Sequence, residues 1–190
     1  MVIPRRYIIV LAALALMTGC KKKKTVSLAG DDPVEIADFI AFFQPVTLPF
    51  QYADSSLQKT KKENDSLLIS YKVFTQFVPD SVLSKVYGKG AKPKIYAMGK
   101  AEVPKAETYL FVKTNHAGKR SVFILAFDKK QQFTGAMNAL RPDQNTTTRQ
   151  TVTMDRRYTV TKTMLRRNRD GSLSEGKDVY VLNADAKVFT

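Results

Sequence analysis

The chain has 190 residues and a net charge of +14, from 31 lysines and arginines against 17 acids. Its hydrophobic share of 44%, with 11 phenylalanines, is enough for a packed core and excludes a disordered basic tail. One cysteine and one histidine exclude a disulfide framework and leave a Cys/His metal site short of ligands, so no cofactor is expected.

At the N-terminus Arg5 and Arg6 precede an apolar run, Ile8 to Met17, of the length of a secretory h-region. It is too short for a transmembrane helix, which needs roughly 20 apolar residues. After Thr18-Gly19-Cys20 the run meets Lys21 to Lys24. These residues resemble the signal of bacterial lipoproteins, in which a small residue precedes a cysteine that is diacylglyceryl-modified and becomes the mature N-terminus. Thr18, Gly19 and Cys20 match that pattern, and Met17 stands where leucine is usual. The resemblance implies a signal peptide over 1–19, lipidation at Cys20, palmitate labelling, and a cell-envelope protein held to the membrane by its acyl chains. An aspartate after the cysteine, which favours the inner membrane, is absent, and so is the acidic run that favours surface display in Bacteroidota-type lipoproteins. The implied place is therefore the outer membrane, facing the periplasm. A plain signal peptide or an uncleaved anchor are the other readings of the same residues.

Residues 20–30 read as a tether, and 31–190 as a single domain. Asp32 is placed to cap a helix, with Pro33 at its first position and Glu35 completing a capping-box-like arrangement; Ile36, Phe39, Ile40 and Phe43 form its apolar stripe. Pro45 ends that helix, and Leu48-Pro49-Phe50 continues as an extended segment. Asp54 to Asp65, with Lys59, Lys61 and Lys62, reads as a surface connection. Residues 67–78 suit either a short strand at Leu67 to Ile69 or a helix through Val73, Phe74, Phe77 and Val78. A further helix is predicted with Asp80 as cap, Val82, Leu83 and Val86 as stripe, and Gly88 as stop.

From Ile95 alternation replaces the helical period. Strands are predicted around Tyr109 and Phe111, over Ser121 to Phe127 with both faces apolar, and through Phe133 and Met137. Turns fall at Asn115 to Lys119 and Asp128-Lys129-Lys130, and a polar loop runs from Arg141 to Arg149. A last hairpin joins Arg157 to Leu165 with Asp178 to Leu182 through a turn at Asn168 to Ser172. The sum is an α+β fold: two or three N-terminal helices, then an antiparallel β meander of six to eight strands, open or barrel-like. The segments Phe77-Val78-Pro79-Asp80, Lys94 to Gly99, Leu125 to Lys130 and Asp178 to Asn183 resemble uncharacterised Bacteroidota-type lipoproteins, a resemblance that implies no activity.

Candidate sites are few. His116 lies in a predicted turn, where exposure is the default, and no partner or nucleophile is visible beside it. The turn Asn168 to Ser172 matches a calcium loop in part, but Arg166 and Lys177 occupy its first and twelfth ligand positions, so a hairpin turn at Asp170-Gly171 is the better reading. Glu175, Asp178 and Asp155 are the acids available for glycan hydrolysis. Arg157, Lys162, Arg166 and Arg167 form a basic hairpin that suits an anionic lipid, an acidic glycan or an envelope protein, or else a solvated face. It lacks the interleaved aromatics of a nucleic-acid platform, and an exported chain meets no nucleic acid. The function expected is a lipid-anchored, non-enzymatic binding or structural domain; the alternative is an envelope hydrolase acting on glycan or lipid.

Overall fold

A computed structural model of the chain describes residues 27–58, 63–141, 147–183 and 185–190. Cys20, Lys21 to Lys24 and most of the expected tether lie outside the described residues, as do Lys59, Lys61, Lys62, Pro142 and Asn145. In chain order come α1 (Ile36–Phe42), β1 (Phe50–Ala53), α2 (Asp54–Gln58), a single 3-10 turn (Asp65–Leu67), β2 (Leu68–Ile69), α3 (Tyr71–Phe77) and α4 (Ser81–Tyr87). Then follow β3 (Lys94–Glu102), β4 (Thr108–His116), β5 (Lys119–Phe127), β6 (Phe133–Leu140), β7 (Thr148–Met154), β8 (Val160–Arg167), β9 (Leu173–Tyr180), β10 (Leu182–Asn183) and β11 (Val188–Phe189).

Strands outweigh helices, 45% to 18%, and form a five-stranded sheet ordered β2-β3-β4-β5-β6, a four-stranded sheet ordered β1-β7-β8-β9, and a small β10-β11 pair. All the strand pairs are antiparallel. The helices do not form a leading block, because β1 and β2 are interleaved with them and join different sheets. Nor is there one meander: β7 leaves the first sheet and starts a second one beside β1. Among the described residues both larger sheets are open.

Three layers result. One face of the five-stranded sheet (Ile95, Leu110, Val112, Phe123, Leu125, Phe127) packs on the helices through Phe39, Phe43, Val73, Phe74 and Leu83. Its other face (Tyr109, Phe111, Val122, Ile124, Ala126) packs on Val152, Met154 and Val160 of the four-stranded sheet. This explains why β5 is apolar on both faces, as its sequence predicts: it is covered on each side and paired at both edges.

Local differences from expectation have physical reasons. Helix α1 begins at Ile36 with Glu35 at the N-cap position, so Pro33 precedes the helix and Asp32 does not cap it; of the predicted stripe, Phe39, Ile40 and Phe43 are buried and Ile36 is partly buried against them. The ambiguous stretch contains both elements, β2 and then α3, separated by Ser70, whose hydroxyl accepts from the Val73 amide at 3.1 Å. Asp80 occupies the α4 N-cap position without capping it, and accepts a hydrogen bond from the Tyr71 hydroxyl instead. The supposed surface connection after Asp54 carries α2, a clasp between the sheets. Buried Asp54 accepts from the Gln150 amide of β7 at 2.9 Å, while the Leu57 carbonyl accepts from Arg120 of β5 at 2.7 Å. Packing also starts ahead of residue 31: Leu28 is fully buried and its carbonyl accepts from the Ser70 amide at 2.7 Å.

Candidate functional site

The candidate groups for an acid/base hydrolase, Asp155, Glu175, Asp178 and His116, lie on different turns, strands and strand faces, and Asp155 and Glu175 have partners close by in the chain. Asp155 opens the β7–β8 turn, and its Oδ1 accepts from the amides of Arg157 and Thr159 at 2.8 and 2.9 Å. Asp128 does the same for Lys130 and Gln132 in the β5–β6 turn, both at 2.8 Å. An aspartate in this place completes a five-residue hairpin turn by satisfying amides that no strand partner reaches. Asp170 lies at the other end of β8, where the hydroxyl and amide of Ser172 hydrogen-bond to it at 2.6 and 2.9 Å and lower its pKa. Glu175 pairs with Lys177 at 2.8 Å on β9, and Asp178 lies on the opposite face of that strand, across from Lys162. His116 is half-buried at the end of β4 and meets the Tyr87 ring edge-on, with centroids 5.8 Å apart. It therefore sits in the strand, and the turn beyond it is the shorter Ala117-Gly118. Among the described residues no group of three or more His, Cys, Asp or Glu side chains is placed to hold a metal ion.

The four basic candidates separate as well. Lys162 and Arg166 share a face of β8, as alternation predicts, but Arg167 points to the other face and Arg157 sits in the turn at the far end of the strand. Gly171 takes a left-handed conformation at φ +84 between Asn168 and Ser172, which bears out the hairpin-turn reading of that segment. The same left-handed place in the β7–β8 turn holds Tyr158, at φ 61. Its ring lies nearly parallel to Tyr109, and its hydroxyl donates to the Glu102 carbonyl at 2.9 Å, which locks the second sheet onto the first. Burial, then the charge of Glu107 and the Tyr158 phenol, push the Tyr109 phenol up to about 12. A shallow depression of about 500 Å³ lies between the β3–β4 and β5–β6 turns, lined by Ile40, Glu102, Lys105, Asp128 and Gln131. Its acids are already engaged, Glu102 with Lys100 at 2.6 Å and Asp128 with its own turn.

The most unusual surface is the outer end of the β8–β9 hairpin. Beyond the Thr163–Lys177 pair the strands of the hairpin are exposed on both faces and carry Met164, Leu165 and Leu173 in solvent, and Val179, opposite Thr161, is exposed as well. One face presents Leu165, Arg167, Leu173, Glu175, Lys177 and Val179 together. Sequence reading missed this strand's first half, because Ser174, Glu175, Gly176 and Lys177 are poor strand formers. Apolar and polar residues do not alternate over Leu173 to Val179, so the pattern carries no strand signal there. No known family model matches the chain, and no curated protein or solved structure matches it.

Proposed function

We propose that this chain is a lipid-anchored cell-envelope protein whose body serves as a binding or structural module. The observation that carries this reading is the sole cysteine, Cys20, set directly after the apolar run and Thr18-Gly19. Acyl chains supply about 0.8 kcal/mol per buried CH₂, and the two chains of a diacylglyceryl group suffice for stable anchoring. Lys21 to Lys24 would add attraction to an anionic headgroup layer, at about 1 kcal/mol per basic residue. The place implied is the outer membrane on its periplasmic side, with an anionic lipid, an acidic glycan or an envelope protein as partner. Support from the body is indirect: Asp155 and Asp170 serve their own turns, Glu175 is paired with Lys177, and the exposed β8–β9 hairpin offers surface for contact.

Palmitate labelling and membrane fractionation of wild type against Cys20→Ala test the reading. Wild type takes up label and sediments with the membrane, and Cys20→Ala loses both properties. An unlabelled wild-type protein that still sediments with the membrane overturns the lipoprotein reading.

A further inference from the structure

Strand β9 is the outer strand of its sheet, bonded to β8 on one side and to no strand on the other among the described residues. The backbone groups facing the open side follow from neighbouring bonds. The Arg167 amide donates to the Thr147 carbonyl at 3.0 Å, away from β9. Arg167 and its register partner Leu173 are thus a pair that exchanges no hydrogen bonds. Alternation then turns the amides and carbonyls of Leu173, Glu175, Lys177 and Val179 outward. Past them, Val181 and Thr190 bond each other in both directions, at 2.9 and 3.0 Å, and close the edge there. The open edge is eight residues long at most, and two of its apolar side chains are mainly in solvent, Leu173 at 64% and Val179 at 61% exposure.

The geometry points to a second copy of this chain as the occupant of that edge, β9 pairing antiparallel with β9 about a two-fold axis through Gly176. Outward-facing residues must lie opposite outward-facing residues, which restricts the register. Setting Glu175 opposite itself brings like charges together on the axis. Setting Lys177 opposite itself does the same, and also places Leu173 against Val181, whose backbone groups already serve Thr190. The register between these two matches every pair: Glu175 faces Lys177, Leu173 faces Val179, and symmetry repeats both. The ion pair within each strand, now 2.8 Å long and largely exposed, is traded for ion pairs across the interface.

Gly176 gives independent support. It falls on the axis in a pair that exchanges no hydrogen bonds, where Cα atoms of antiparallel strands come within about 4.5 Å. A glycine inside a strand weakens it and often marks the close approach of another backbone. Among the described residues nothing lies within 4 Å of a Cβ built at Gly176, so none of them calls for glycine there. Pairing of this kind is isologous and closes at two copies, joining the two four-stranded sheets into one.

The test uses the full chain in detergent micelles, with molar mass from analytical ultracentrifugation. Wild type is expected at twice the protomer mass. Glu175→Lys and Lys177→Glu, each placing like charges opposite one another, are expected at the protomer mass, and the double exchange Glu175→Lys with Lys177→Glu returns to twice that mass. Both side chains are about half exposed, so the fold survives each change, as unchanged circular dichroism would verify. A protomer-mass wild type, single exchanges that keep the doubled mass (as association through acyl chains would), or a double exchange that stays at protomer mass each overturn the proposal. As a second readout, Gly176→Cys in a Cys20→Ser chain forms an intermolecular disulfide on mild oxidation, and its absence counts against the axis.

Discussion

Strands β5 and β9 are nearly equal in length, nine residues and eight, and both sit in antiparallel sheets, yet their surroundings are opposite. From Ser121 to Phe127 every residue of β5 is buried, whereas β9 is exposed throughout except for half-buried Tyr180. Strand β5 has paired neighbours on both edges and an apolar layer on both faces. Strand β9 has one paired edge, and the second sheet overhangs the first beyond Val160 and Tyr180. A hairpin thus keeps its backbone pairing far from the core, but its side chains there add little burial to the fold. The contrast is between a strand held by burial and a strand held by its ladder alone.

The largest effect expected on that contrast comes from Phe123, 1% exposed and in the helix-facing layer of β5. Phe123→Ala removes a ring that its close-packed neighbours cannot replace, and is expected to cost about 3–5 kcal/mol, read as a fall in the urea midpoint of the full chain. Next is Asp54, which carries the link between α2 and β7. Asp54→Ala leaves the half-buried Gln150 amide without its acceptor and is expected to cost about 1–3 kcal/mol by the same measurement; no shift in midpoint would show that water serves the amide equally well. The smallest effect on stability belongs to β9. Val179→Thr is expected to stay within about 0.5 kcal/mol of wild type, and a loss on the scale of Phe123→Ala would mean that this strand is covered after all.

Much of the fold was legible because it rests on local rules. The stripe Phe39, Ile40 and Phe43, the stop at Gly88 and the doubly apolar run Ser121 to Phe127 each follow from a period or a backbone preference that tertiary contacts then reinforce. Strand β7 was not legible. Its sequence, Thr148 to Met154, is polar at most positions and reads as the end of a loop, and it becomes a strand through pairing with β1, far away in the chain, and with β8. Helix α2 was lost for a similar reason. Five residues with little apolar content carry no period, and its place is set by Arg120 and Gln150 reaching it from two different sheets.

The candidate acids show the same division. Asp155 stands out in the sequence because an acid beside a turn suits catalysis and turn formation equally, and only the hydrogen bonds from Arg157 and Thr159 assign it to the turn, whereas Asp170, with Gly171 beside it, already reads as a turn residue in the sequence. The sequence by itself determined the place of the sole cysteine after an apolar run, the basic charge, the apolar stripe of the first helix and the strand-rich second half, since each depends on residue type or on neighbours within a few positions. Tertiary structure alone decided that the strands divide into two packed sheets, that α2 clasps them together, and that β9 is left with an open edge. Those outcomes depend on which distant segments meet, and hydrophobic period along a chain carries no record of the partner across the sheet.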